Sequence, residues 1–411
     1  MTGMSAQAVH ATVFADPFSY CAHPHLAVTA AGTWLAVFNR APRRAVVLHP
    51  PQDPEYRNVL VRSHDEGRTW SAPSVVPSYD FSGIECAGLT ALRDGRVLLS
   101  QWRFGWVPAP EGKVPSWPPG SPSLRAQRSN PASLSGAASL DCFVADAPRN
   151  DGGAADFVPA SRLMVGLVQS TEIGHFAGGS QADLTKAFPW ARGPGKTFVH
   201  VSDDDGLSFA IGAPIDTAPY PGGYGMRGAV ELPSGELVLP LSDVPHYRTL
   251  FVIRSADRGE TWSAPIHVAS GEGHEFEEPT GLLLRDGRIL LLLRDNITRI
   301  LHATISADGG FTWSSAAPTA ITAYPGHLLR LADGRIACVA GRREPPFGIV
   351  LHLSEDEGAT WSDPIAVRDD FSDADLGYPA VAQRADGSLL VLYYGRDSAG
   401  VTTIQQSVVR L

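Results

Sequence analysis

A chain of 411 residues, 44% of them hydrophobic and 18% charged, can bury a substantial core, and its 41 glycines and 33 prolines favour many strands and turns over helices. A formal charge of −10 with both signs scattered along the chain argues against nucleic-acid partners, which need a basic stripe, yet leaves room for a few local arginines to hold a small anion. No apolar run approaches membrane-spanning length and no basic start leads into an apolar stretch, so neither a membrane partner nor a signal peptide is expected and the expected location is cytoplasmic.

In chain order, AVHATVFA (8–15) reads as a spare strand with no hairpin partner. Six copies of one phrase follow, an apolar run, a Gly-bearing turn and a second apolar run, at 25–40, 88–103, 228–243, 281–295, 327–342 and 380–396. GLTALRDGRVLLSQWR and GLLLRDGRILLLLRD are typical, and Asp-Gly between short apolar runs is a strong hairpin signal. Five copies are followed by an acidic octet: SHDEGRTW (63–70), SDDDGLSF (202–209), SADRGETW (255–262), SADGGFTW (306–313) and SEDEGATW (354–361). The last three octet-to-octet steps are 53, 51 and 48 residues, the size of a four-stranded blade.

Each unit therefore reads strand A, turn, strand B, strand C, octet turn, strand D. The sixth unit ends at VTTIQQSVVRL (401–411) and lacks an octet and a strand D, which the strand at 8–15 can replace. The predicted fold is all-β, a single six-bladed β-propeller over 1–411 whose last blade is closed by the N-terminal strand. Residues 105–195 interrupt strands B and C of blade 2; their Pro-, Ser- and Ala-rich first half is expected to be partly disordered, and 162–170 is read as an extra strand. The octet suits a turn better than a calcium loop, with Asp308 bonding backbone N–H groups, Gly310 supplying unusual dihedrals and Trp313 packing between blades. The cysteines Cys21, Cys86, Cys142 and Cys338 lack metal spacing and read as reduced, buried thiols.

Strand parity puts all octets on one face and the A-strand starts and B-strand ends on the other. That second face carries His23, His25, Glu85, Arg227, Glu277, Glu278, Tyr324, His327 and Tyr378 at strand starts. Arg40, Arg103, Arg294, Arg342 with Arg343, and Arg396 stand at strand ends, of which Arg103 and Arg396 read as solvated termini. Polar residues from six units converging on one funnel point to a ligand site.

The octets match the Asp-box, Ser-x-Asp-x-Gly-x-Thr-Trp, and the chain resembles the sialidase (neuraminidase) superfamily over essentially all blades. EPTGLLLRDGRILLLLR (278–294) resembles the segment in which a Glu opens an inner strand and an Arg ends the next, and GYPAVAQRADGSLLVLYY (377–394) resembles the segment that presents a nucleophilic Tyr. The resemblance implies a sialidase-like exo-glycosidase hydrolysing a terminal, acidic sugar with retention. Tyr378 would be the nucleophile, Glu278 its base and Asp53 the acid/base, with Arg40, Arg294 and Arg342 or Arg343 around the anionic sugar. A phenol with a pKa near 10 needs such a base, and sialidases are Tyr-nucleophile exceptions among glycosidases. One motif departs: the first clamp arginine of the superfamily is Ala22 here, followed by His23-Pro24-His25. Other substrates, including an arabinanase-like use of Glu85 and Glu278, and a non-catalytic glycan-binding propeller stay open at this stage. A metal enzyme using His23, His25, His274 and His327 finds no His-Glu-x-x-His spacing, so neither a metal nor another cofactor is expected. A carbohydrate is the expected partner; the oligomeric state is left open.

Overall fold

The computed structural model describes residues 8–43, 56–77, 82–84, 87–108, 113–115, 157–159, 190–244 and 247–411. The described residues contain no helix. They form six antiparallel sheets arranged as the blades of a propeller. Blade 1 runs Ser19–Val28, Trp34–Pro42, Arg57–Ser63 and Ser74–Val75 from its inner strand outward. Blade 4 (Phe276–Leu283, Ile289–Asp295, Leu301–Ser306, Ala317–Pro318) and blade 5 (Gly326–Arg330, Ile336–Arg342, Gly348–Ser354, Ile365–Arg368) repeat it. In blades 2 and 3 the inner strand is broken in two, Ser82–Ile84 with Gly88–Ala91 and Gly223–Tyr224 with Val230–Glu231.

Blade 6 contains Gly377–Gln383, Leu389–Arg396 and Thr402–Val409, and its outer strand is Ala8–Phe14, paired antiparallel with Ala8 opposite Val409. The ring is closed by joining the two ends of the chain, which removes the open edge a six-blade sheet array would otherwise present. In blade 2 the two middle strands extend past the expected ends, Val97–Pro108 pairing with Trp190–Ser202 until Pro108 faces Trp190. A two-stranded ribbon, Lys113–Pro115 with Phe157–Pro159, lies beyond them. The strand expected at 162–170 falls outside the described residues.

Six clusters of buried apolar side chains fill the ring, five between consecutive blades and one that joins blades 6 and 1 and reaches on to Trp102 of blade 2 and Tyr224 of blade 3. Between blades 3 and 4, for example, Val230, Val238 and Val252 meet Ile289, Leu291 and Leu293, with Trp313 of the octet packed on them. A single blade has no core of its own; burial comes only from stacking neighbours. The octets serve this packing. In each, the Ser hydroxyl accepts from the Gly amide and donates to the Asp, which in turn takes the N–H and hydroxyl of the Thr or Ser four residues on: Ser306, Gly310, Asp308 and Thr312 do so at 2.6 to 2.9 Å. The turn needs a left-handed backbone, as at Gly67 (φ 75°), and the bare Cα lets it sit on the preceding blade: a Cβ there would lie 2.4 Å from Leu390 of blade 6. Cys21 and Cys338 are buried thiols whose pKa burial pushes up to about 12, as expected of inert core cysteines; Cys86 and Cys142 lie outside the described residues.

Candidate active site

The inner strands of blades 1, 4 and 6 share a departure from regular pairing. The register slips between Ala22 and His25, between Glu277 and Thr280, and between Gly377 and Ala380. At each slip stands a non-glycine residue with positive φ followed by proline: His23 (55°) before Pro24, Glu278 (52°) before Pro279, Tyr378 (48°) before Pro379. Proline has no N–H to give the ladder, so the interruption falls where a hydrogen bond is already missing. The bulge turns the preceding side chain out of the alternation and aims it at the centre of the ring.

The aimed side chains meet. The Tyr378 hydroxyl donates to Glu278 Oε1 at 2.5 Å, and Glu278 Oε2 accepts from Arg294 Nη1 at 2.6 Å. All three residues are buried. Arg294 Nε also lies 3.5 Å from Glu277 Oε1, and Glu277 is fixed by the Asn296 amide at 2.7 Å. Burial opposes the Arg294 charge, but the Glu278 and Glu277 carboxylates outweigh it and hold its pKa above the ordinary arginine value. The Arg294 guanidinium lies 4.7 Å from the Tyr324 ring centre and that of Arg343 lies 5.4 Å from the Tyr378 ring centre. Nε and Nη2 of both arginines are buried without a hydrogen-bond partner among the described residues. Buried donors so placed favour an anion, since an unsatisfied one costs about 1–3 kcal/mol.

His23 packs its imidazole edge against Tyr378, ring centres 4.3 Å apart, and against Tyr394 at 5.3 Å. Its Nδ1 faces Asn39 Oδ1 at 3.1 Å, while Asn39 Nδ2 donates to Asn58 Oδ1 at 2.7 Å and Asn58 Nδ2 to Gln101 Oε1 at 2.9 Å. Because the Asn39 amide nitrogen is committed to Asn58, its oxygen faces His23, and this network assigns the imidazole proton to Nδ1. Behind Tyr378, the buried Asp375 accepts from Tyr20 (3.0 Å) and Tyr394 (3.2 Å), with Arg396 Nη2 at 3.4 Å. Burial raises the Asp375 pKa, with Arg396 pulling the other way.

The other expected residues divide. Arg343, not Arg342, reaches the cluster; Arg342 turns back to the carbonyl of Pro346 in its own loop. Arg40 does not join it: neighbours in a strand face opposite ways, so Asn39 points inward and Arg40 pairs with Asp16 at 2.6 Å beside Phe14. His25 and His327 accept the backbone N–H of Leu89 and Val381, and Arg227 donates to the carbonyls of Gly326 and Pro24. The two histidines tie neighbouring blades together, 1 to 2 and 5 to 6, and Arg227 of blade 3 reaches blades 5 and 1. Burial, then for His25 the neighbouring His327 and Arg227, depresses both imidazole pKa values well below the ordinary one, so both are neutral. Arg396 is likewise more than a solvated end, since it braces Asp375 and Asp373. Asp53 and Glu85 lie outside the described residues. His274 stands away from the other three histidines, paired with Asp295. Sequence reasoning did not single out Tyr20, Asn39, Asn58, Asp375 or Tyr394, and no local pattern marks them; the proline directly after His23, Glu278 and Tyr378, in HPH, EPT and YPA, marks only the aimed residues.

A family model described as a BNR repeat-like domain matches residues 186–391, half of the chain. The crystal structure of a protein of unknown function from Dyadobacter fermentans is similar over 100% of both chains, with a TM-score of 0.70 and 21% identity. A mutant of the NanB sialidase from Streptococcus pneumoniae matches with a TM-score of 0.61 and 15% identity, over 96% of this chain and 70% of that one. The intramolecular trans-sialidase from Ruminococcus gnavus, in complex with oseltamivir carboxylate, matches with a TM-score of 0.59 and 14% identity, over 97% and 96%. At these identities the likeness is one of fold. No curated protein sequence matches the chain.

Proposed function

The chain belongs to the BNR repeat-like domain family, and from that premise we propose that it is an exo-acting glycoside hydrolase that cleaves a terminal acidic sugar with retention, Tyr378 being the nucleophile. The observation that carries this reading is the buried hydrogen bond from Tyr378 to Glu278, set beside two arginines with unsatisfied guanidinium nitrogens. As the Tyr378 oxygen attacks the anomeric carbon, its proton passes to Glu278 Oε1 and the bond to the leaving oxygen breaks. An acid must protonate that oxygen, the role the sialidase resemblance implies for Asp53. Water, deprotonated by the same group, then releases the sugar from Tyr378 and the tyrosine recovers its proton. A phenol suits this task next to an anionic sugar, because a carboxylate nucleophile would be repelled.

Arg294 and Arg343 hold the sugar's anion in this reading, with fork-shaped donors that match a carboxylate. Ala22 is fully buried where the resemblance calls for a third arginine, and Arg40 is occupied by Asp16, which favours an acidic sugar gripped by two arginines over an ordinary sialoside. The test is turnover of fluorogenic sialosides beside other acidic and neutral glycosides, with Tyr378→Phe measured on every substrate found. Unchanged turnover in that variant would refute the nucleophile. Binding of acidic glycans with no turnover of any glycoside would refute the enzyme and leave a lectin-like propeller.

A further inference from the structure

In blade 4, outside the Tyr378–Glu278–Arg294 hydrogen-bond chain, three side chains from three different segments converge. His274 stands just before the strand Phe276–Leu283, Asp295 ends the strand Ile289–Asp295, and His302 lies at the start of Leu301–Ser306. One ligand-capable atom from each lies within 4.8 Å of the other two. We propose that these residues form a binding site for a divalent transition metal of the zinc class.

Four observations support the assignment. Two imidazole nitrogens and one carboxylate oxygen suit Zn2+, whereas Mg2+ and Ca2+ seek oxygen-only cages. The Asp295 side chain is fully buried, and among the described residues no lysine or arginine pairs with it; its one ionisable partner is His274, at 2.8 Å. A carboxylate buried with no cationic side chain beside it is a favourable ligand for a cation. Its oxygens also accept from the Glu275 and Ile297 amides and the Thr298 hydroxyl, which fix the carboxylate in place. The orientation of the ligands is also fixed. His302 Nδ1 lies 3.1 Å from the Ile300 carbonyl, which assigns it the donor proton and leaves Nε2 as the lone-pair nitrogen, the usual support of a metal-binding histidine. Phe276 stacks on His274 with ring centres 5.0 Å apart and meets His302 edge-on at 5.4 Å, holding both imidazole planes. Finally, the His274 side chain is 35% exposed, giving an ion a way in and a water the fourth position.

Reaching Zn–N and Zn–O bonds of about 2.0–2.2 Å requires a closing movement on the order of 1 Å, which His274, on a loop, can make. The site stands independently of the glycosidase reading. The experiment is titration of chelator-treated full-length protein with Zn2+ by calorimetry, and with Co2+ by visible absorption. Variants His274→Ala and His302→Ala are compared with His267→Ala, an exposed histidine of blade 3 that serves as control. One Zn2+ per chain is expected, with affinity weakened more than about tenfold in both site variants and unchanged in the control. Absence of stoichiometric binding, or binding that survives both site variants, overturns the proposal. Should His302→Ala fail to fold, the half-exposed His274 and the Co2+ spectrum of the wild type decide alone: intense tetrahedral bands uphold the site, and the weak spectrum of hydrated Co2+ rejects it.

Discussion

Replacing Glu278 by Gln separates its two duties, as partner of a buried cation and as base for a phenol. Glu278 Oε2 holds Arg294 at 2.6 Å in a site closed to solvent, and the second carboxylate, Glu277, stands further off at 3.5 Å. Breaking a buried pair by neutralising one partner costs about 3–5 kcal/mol. Here Glu277 remains and the Gln oxygen still accepts a hydrogen bond, so the loss belongs at the low end, about 3 kcal/mol. The chemical loss is larger, since a positioned general base supplies roughly 10²–10⁴-fold. Tyr378→Phe is the matched comparison: it removes one hydroxyl, leaves the Arg294 pair intact and costs about 1 kcal/mol of stability, yet it abolishes the nucleophile. Denaturant unfolding and kcat on the best substrate from the glycoside panel, measured for both variants, give the two numbers. Activity within about threefold of wild type in Glu278→Gln, well short of the loss expected of a base, would refute the proposed proton transfer. Equal stability losses in the two variants would refute the assignment of Glu278 as the structural partner of Arg294.

Arg343→Lys keeps the charge but loses the planar fork, and it is expected to lower kcat/KM for an acidic glycoside about tenfold or more while leaving folding unchanged, as read by steady-state kinetics and thermal melting. Gly88→Ala puts a Cβ 2.4 Å from the backbone nitrogen of Gly228 and 2.9 Å from the Gly225 carbonyl, so blades 2 and 3 must part; a loss of about 1–3 kcal/mol in denaturant unfolding is expected. The Thr312 hydroxyl and amide hold Asp308 at a pKa of about 2, below the unfolded value of about 3.9. The octet's contribution is therefore complete above about pH 4 and lost as pH falls through about 2; Asp308→Asn should melt earlier than wild type at pH 7, with the gap closing near pH 2.

The blade count, the ring closure and the scaffold role of the octets were legible because each is written several times over: six hairpin phrases and five octets leave one arrangement in which every apolar run finds a partner. Glu278 and Tyr378 were legible through resemblance, and strand parity put them on one face. What sequence could not supply was the direction of individual side chains. Arg40 and Asn39 are one residue apart in a strand, and which of them faces the funnel depends on the register of that strand, which a one-residue slip would reverse. His25, His327 and Arg227 carry ligand-like side chains, yet their partners are main-chain groups of other blades, and no local pattern records such contacts. Asp375 lies in a loop between blades, its environment built from Tyr20, Tyr394 and Arg396, which come together only when the ring closes.

Among the described residues, the positive-φ non-glycine positions sort by cause. Glu66, Asp205, Arg258 and Glu357 sit in octet turns that require the left-handed conformation, and Tyr247 and Arg299 sit in turns between strands, whereas His23, Glu278 and Tyr378 sit in inner strands, where no turn asks for it. Such a conformation costs about 1–2 kcal/mol per residue, so the funnel holds on the order of 3–6 kcal/mol of backbone strain, comparable with the margin by which ordinary domains are stable. That strain persists because the side chains it presents bind one another: Tyr378 holds Glu278, Glu278 holds Arg294, and His23 packs on Tyr378 while anchored to Asn39. The same bulge-and-proline device, used in blades 1, 4 and 6, sets where three side chains converge; which residue precedes each proline sets what they can do. Glu and Tyr at two of the positions form the buried hydrogen-bonded pair to which the proposed mechanism gives the proton transfer. His at the third, next to a buried alanine, makes blade 1 the element in which this funnel departs from an arginine clamp, and so the element that carries its distinct choice of sugar in the reading proposed above.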